Sequence, residues 1–148
     1  MNKQLTGAAG VFYVASELSM RGMVAIPTIR NVAGADILVS DPEGKHFAFI
    51  QVKTSKSKVT FWPLGNNFRD WVGENCYYVF VRRVGDRFEA FLEKADIIAR
   101  ETEICHQISV KKGDKKWAVC WPISGKWATK DAQERTRHNW ENFRVNPE

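Results

Sequence analysis

A chain of 148 residues with 44% hydrophobic and 26% charged residues has the size of one domain and the composition of a folded protein, which excludes a disordered or collagen-like chain and a second full domain. The formal net charge of +5 is unevenly spread: residues 1–110 hold 13 Lys and Arg against 12 Asp and Glu, residues 111–148 nine against five. This excess favours a polyanionic partner and sits in the tail.

No apolar run approaches the roughly 18 residues of a membrane span, and the first residues lack the charged and apolar regions of a signal peptide. The expected address is the cytoplasm, with no membrane contact. Cys76, Cys105 and Cys120 include no Cys-x-x-Cys pair, so reduced, mostly buried thiols are expected rather than a disulfide framework or a structural zinc site.

Ala8, Val11, Ala15 and Leu18 recur at helical spacing, which predicts a helix over 6–20 with Gly22 as its left-handed C-cap. A short strand over 24–27 follows. Strands over 35–40 and 46–54 should then form an antiparallel hairpin around Asp41-Pro42-Glu43-Gly44, whose Asp, Pro and Gly suit a type I turn. Residues 55–75 are polar and turn-rich and read as a loop with one short helix around 67–72. The apolar, aromatic and β-branched run 76–81 has the pattern of a strand buried on both faces. A further strand follows over 87–92 after the turn at 84–86, then a helix over 93–103. Val110 and Trp117 flank a lysine-rich segment that reads as a hairpin with a basic tip, and a last helix is expected over 129–143. The organisation is thus one domain over 1–148, its core at about 6–104 and a C-terminal basic hairpin and helix over 105–148.

The chemistry concentrates in the hairpin. Strand alternation gives Gln51 and Lys53 one face and leaves Ile37, Val39, Ile50 and Val52 for the core-directed face. Pairing Asp41 with Gly44 sets Asp36 opposite Phe49 and diagonal to Gln51, whereas a tighter two-residue turn at Glu43-Gly44 sets it directly opposite Gln51. Only a bulge at Gly44 breaks the clustering. An acid, an amide and an amine at a strand end have the chemistry to hold a hard cation and a water. Asp36 offers an anionic oxygen, Gln51 an amide oxygen and Val52 a backbone carbonyl, and waters complete the octahedron that Mg²⁺ prefers. Lys53 would orient the attacking water and offset phosphate charge. The plain alternative is an edge strand with a polar outer face.

Lys56 and Lys58 follow directly and either meet phosphates or are solvated. Lys111, Lys112, Lys115 and Lys116 set like charges across the basic hairpin, a strain that a bound anion or solvent screening would relieve. The six tryptophans are candidates for stacking on bases, and more often core or subunit contacts.

A helix bearing Glu17, then Gly34-Ala35-Asp36, then Ile50-Gln51-Val52-Lys53 resembles the PD-(D/E)xK nuclease superfamily, and in particular its small Holliday-junction-resolvase-like branch. The resemblance covers residues 6–54 and extends loosely to 76–81. It implies an α/β fold with a mixed central β-sheet flanked by helices, the restriction-endonuclease-like αβββαβ core. It also implies an endonuclease that hydrolyses phosphodiester bonds of DNA, with RNA left open, using Mg²⁺ or Mn²⁺ and working as a homodimer or within a larger complex. Glu17, Asp36, Gln51 and Lys53 take the catalytic positions. Ala35 stands where the family has Pro, and Gln51 where Glu is usual, which removes one negative charge. A catalytically degenerate nucleic-acid-binding or protein-interaction module of the same fold is therefore the second reading. Glu17 lies off the apolar face of its helix, so a solvated glutamate is the other reading of that residue.

Overall fold

The computed structural model describes residues 1–29, 34–113 and 119–145. The first helix, α1, spans Lys3–Met20, starting earlier than expected because the Asn2 side chain caps it by accepting the Leu5 N–H at 2.8 Å. Strands β1 (Val24–Pro27), β2 (Ile37–Ser40), β3 (Phe47–Ser55), β4 (Phe61–Pro63), β5 (Cys76–Val84) and β6 (Arg87–Lys94) follow, then helix α2 (Ala95–Lys111), β7 (Cys120–Pro122) and the short α3 (Ala132–Thr136). Single 3₁₀ turns lie at Asn66–Arg69 and Trp140–Asn142.

The architecture is α/β. Five strands form a mixed sheet in the order β1-β2-β3-β5-β6, in which β3 and β5 run parallel and every other pair antiparallel, while β4 and β7 form a separate antiparallel pair. Alternation divides the large sheet into two apolar faces. Ile37, Val39, Ala48, Ile50, Val79 and Leu92 pack under Val14 and Leu18 of α1. Tyr78, Phe80 and Phe91 face the other way, beneath Trp62, Phe68, Ile98 and Trp121. The run 76–81 is thus buried on both faces, as its pattern predicts. Helix α1 approaches β3 at Gly10, where an added Cβ would stand 1.8 Å from Thr54 Oγ1; only glycine permits that contact. Among the described residues no helix is long and apolar enough to cross a membrane.

The hairpin forms where expected. The Gly44 N–H donates to the Asp41 carbonyl at 3.0 Å, closing the predicted turn, and the positive φ of +68° at Gly44 suits glycine. The register pairs Ile37 with Ile50 and Ser40 with Phe47, that of the tighter of the two expected turns. It is reached by a four-residue loop, because Asp41 itself pairs with His46.

Three elements differ from expectation. Helix α2 continues through Val110 and Lys111, with Lys112 as its C-cap, so the first arm of the expected basic hairpin is helical. Buried Ile98, Thr102, Cys105 and Ser109 mark its inner face, and the polar Thr102 and Ser109 hide the apolar period. Lys115, Lys116 and Trp117 lie outside the described residues. The expected helix over 129–143 is broken: Arg137 bridges to Phe91, and His138, at a φ of +46°, donates its N–H to the Ala90 carbonyl. Tertiary pairing with β6 wins over helical continuation. Within 55–75, β4 was unexpected because its partner β7 lies far downstream; it and the 3₁₀ turn carry the chain from β3 to its parallel neighbour β5.

Candidate functional site

The site grows from a kink one residue before β2. The Asp36 carbonyl accepts the Thr28 N–H on the β1 side at 2.8 Å, whereas its own N–H donates to the Ile50 carbonyl on the β3 side, also at 2.8 Å. Carbonyl and N–H of one residue thus reach opposite neighbours, which regular strand geometry does not allow. The Thr28 hydroxyl fixes the preceding residue by donating to the Ala35 carbonyl at 2.6 Å. Thus held, the Asp36 carboxylate takes the ladder position a strand residue would otherwise fill and accepts the Val52 N–H at 2.7 Å through Oδ2. Its second oxygen takes no part in that bond. Because the N–H and C=O of a strand residue point to the same side, the Val52 carbonyl also faces the end of β2.

Gln51 and Lys53 alternate with Ile50 and Val52 and therefore lie on the face of Tyr78 and Phe80, their parallel register partners. Gln51 is buried and Lys53 half-buried. Gly34 sits beside Gln51: a Cβ there would lie 3.7 Å from the Gln51 Nε2 and 2.8 Å from the Trp71 Nε1. With a φ of +75° as well, this position admits glycine alone. Trp71 meets Tyr78 edge-on at 5.1 Å, completing an aromatic wall beside Gln51. Burial, with a smaller contribution from the charge of Cys76, pushes the Tyr78 hydroxyl up to about 12. Tyr78 is therefore a neutral wall and not a base.

The structure thus gathers Asp36, Gln51 and the Val52 main chain at the end of β2, with Lys53 one alternation further along the Gln51 face. Glu17 stands apart. It pairs with Arg21 at 2.6 Å on α1, the helix that covers the Ile50 and Val52 face, and Arg21 in turn lies over the Trp140 ring. Among the described residues no three His, Cys, Asp or Glu side chains gather into a metal-binding group. The local donor set is one carboxylate, one amide and one carbonyl. That is too poor in nitrogen and sulfur for zinc, but one carboxylate with several retained waters suits a hydrated Mg²⁺ or Mn²⁺.

The lysines distribute differently. Lys56 and Lys58 are exposed in the segment leaving β3. Lys111 and Lys112 end α2, where their charge complements the negative end of the helix dipole, and the Lys112 Nζ lies 5.5 Å from the centre of the Trp127 ring. Trp62, Trp121, Trp127 and Trp140 are core residues, so none presents a stacking face. Sequence reasoning missed Thr28, which pins Ala35 and Asp36, and Trp71, which closes the site over Gly34. Gly34 beside the motif was the one available signal for the latter. Comparison with protein-family models, with curated proteins and with solved structures gives no match.

Proposed function

We propose that this chain is a nuclease-like protein that binds a divalent cation and hydrolyses phosphodiester bonds of DNA, on a PD-(D/E)xK-type arrangement and restriction-endonuclease-like core in which Gln51 replaces the usual acid. One observation supports this reading above the rest: a kinked Asp36 aims its carboxylate at the Val52 main chain, beside buried Gln51 and one alternation from Lys53. Asp36, Gln51 and the Val52 carbonyl would hold Mg²⁺ or Mn²⁺, which when bound supplies a more acidic water and neutralises charge on the phosphate. Lys53 presents its ammonium to a phosphate oxygen and orients the attacking water. The aromatic wall of Trp71 and Tyr78 lowers the local dielectric and strengthens both interactions. Lys56, Lys58, Lys111 and Lys112, with Lys115 and Lys116, supply sequence-independent phosphate contacts. Glu17 enters this reading through the family resemblance alone.

A second reading, a degenerate binding module of the same fold, draws on two facts. Gln51 brings no charge, and Asp36 already has a structural partner in the Val52 N–H. Titration calorimetry with Mn²⁺ and a cleavage assay on labelled linear and branched DNA separate the two. The nuclease reading expects wild type to bind the cation and cleave, Asp36→Asn to lose both, and Gln51→Glu to bind the cation more tightly. Lys53→Ala should retain the cation but cleave at least about a hundredfold more slowly. A wild type that binds DNA yet neither binds Mn²⁺ nor cleaves establishes the module.

A further inference from the structure

A cavity of about 650 Å³ opens where β3 and β5 begin. Four segments distant in the sequence line it: the turn leading into β3, the start of β5, the end of β6 and the C-terminal segment. The Tyr77 hydroxyl ties two of them together by donating to the Arg144 carbonyl at 3.1 Å, and its ring packs on Phe143 at 4.6 Å. Lys94 is the register partner of Tyr77 and so projects to the same side of the sheet. Gln51 and Lys53 lie further along β3 on the opposite face, which separates this cavity from the site built on Asp36.

Its charge is unbalanced. Lys45, Lys94 and Arg144 come to the wall from three of the four segments, and among the described residues none of them pairs with a carboxylate. The Arg144 Nη1 turns back to the Glu141 and Phe143 carbonyls, which leaves the rest of its fork for another acceptor. His46 is engaged with Asp41 at 2.6 Å and adds no free cation. Glu74 is the one acid among the lining residues, so three cations face one carboxylate and two positive charges stand in excess. Like charges gathered around one cavity repel, and an anion between them relieves the repulsion. The same wall is partly apolar: Phe47 presents a ring that is 44% exposed, beside Tyr77 and Val145.

We propose that this cavity binds a nucleotide by its terminal phosphate, the phosphate on Lys45, Lys94 and Arg144 and the base against Phe47. Charge selects the phosphate. A phosphomonoester carries about −1.5 to −2 near pH 7 and matches the excess, whereas a phosphodiester of the nucleic-acid backbone carries a single charge. Size and lining select the rest, because the cavity falls within the roughly 300–1,000 Å³ of small-molecule sites and exceeds what a bare phosphate needs. An exposed aromatic ring suits the face of a base. The Asn75 amide, held to the Phe47 carbonyl only by a long 3.4 Å hydrogen bond, is at hand for the base edge. A free mononucleotide and the phosphorylated end of a DNA strand offer this same chemistry, and neither requires that the chain cleave anything.

Titration calorimetry in excess EDTA tests this with no cation present and no cleavage under way. Wild type should bind AMP with a dissociation constant below about 1 mM. Adenosine, which lacks the phosphate, and 3′,5′-cyclic AMP, whose phosphodiester bears one charge, should bind at least about tenfold more weakly, the effect of one lost hydrogen bond to a charged group. Lys94→Gln and Arg144→Gln should each weaken AMP to the same degree with an unchanged circular dichroism spectrum. Should either fail to fold, Lys45→Gln, in the exposed turn, takes its place. Phe47→Leu should weaken AMP yet leave ribose 5-phosphate, which has no base, binding as it does to wild type. Displacement of AMP by a 5′-phosphorylated oligonucleotide but not by its unphosphorylated counterpart assigns the pocket to strand ends, and displacement by neither assigns it to free nucleotides. No AMP binding up to about 1 mM, equal binding of AMP and cyclic AMP, folded charge variants that bind as wild type does, or equal displacement by the two oligonucleotides overturns the proposal.

Discussion

Asp36 has two roles open to its carboxylate, and substitution separates them. As an acceptor for the Val52 N–H it closes the ladder beyond β2; as an anion it would draw in a cation. Asp36→Asn keeps an acceptor oxygen and removes the charge, whereas Asp36→Ala leaves the Val52 donor without its partner at a cost of about 1–3 kcal/mol. Thermal unfolding should place Asn near wild type and Ala well below it. Saturating Mn²⁺ should raise the wild-type midpoint, by the equivalent of about 2.7 kcal/mol at a hundredfold excess over the dissociation constant, and leave Asn unmoved. An equal rise in Asn would put the cation elsewhere. The type and spacing of Asp36, Gln51 and Lys53 were legible in the sequence, and so was the alternation that gives Gln51 and Lys53 one face. The kink was not, because it depends on Thr28 and Ile50 gripping Asp36 from opposite sides. Neither was the separate position of Glu17, which follows from its pairing with Arg21 and from how α1 lies on the sheet.

Among the elements, those built from local pattern were readable and those built from distant partners were not. Helix α1, the β2–β3 hairpin and buried β5 each announce themselves within a few residues, through helical spacing, an Asp-Pro-Glu-Gly turn and a continuous apolar run. Strands β4 and β7 are three residues each and exist only by pairing with one another. The C-terminal helix fails for the same reason, since Arg137 and His138 leave it to pair with β6. The contact of α1 with β3 is also non-local, and Gly10 is where it can be tested. Gly10→Ala gains helix propensity of up to about 1 kcal/mol, but its Cβ would overlap the Thr54 side chain and force the helix outward. Overpacking of this kind costs about 1–3 kcal/mol, so the clash should win and the melting midpoint fall. Gly7→Ala on the same helix, where an added Cβ meets nothing within 4 Å, should be neutral or stabilising.

For the molecule as a whole, the C-terminal segment is held by Trp140 and Phe143, buried in the core beside Tyr77 and Val79, and by a set of ion pairs. Arg135 pairs with Glu93 at 3.2 Å and with Glu101, a buried carboxylate that also accepts the Trp121 Nε1 at 2.9 Å. Arg137 pairs with Glu89, which in turn holds the buried Arg82 at 2.6 Å. Burial alone would raise the Glu89 carboxyl, but the Arg82 hydrogen bond and the charges of Arg82 and Arg137 outweigh it and hold the group below its ordinary 4.5. A carboxyl with a lowered value in the folded state binds its proton more readily when unfolded. Its stabilisation is therefore complete above the ordinary value and is lost as pH falls through the folded one. Urea unfolding should thus show stability falling as pH drops below the ordinary carboxyl value of 4.5. Glu89→Gln should be less stable at pH 7 by about 1–3 kcal/mol, the cost of leaving the buried Arg82 without its charged partner, and should lose less of its remaining stability on acidification. Two other carboxyls are held low: Glu103 by its hydrogen bond from Arg69, and Asp41 where His46 and the Lys45 N–H outweigh desolvation. Both pairs are at the surface, where salt screens them. Moderate salt should therefore flatten their share of the acid loss and leave the Glu89 share in place. If Glu89→Gln keeps the full wild-type slope in high salt, the Arg82–Glu89–Arg137 bridge does not contribute to holding the C-terminal segment on the sheet.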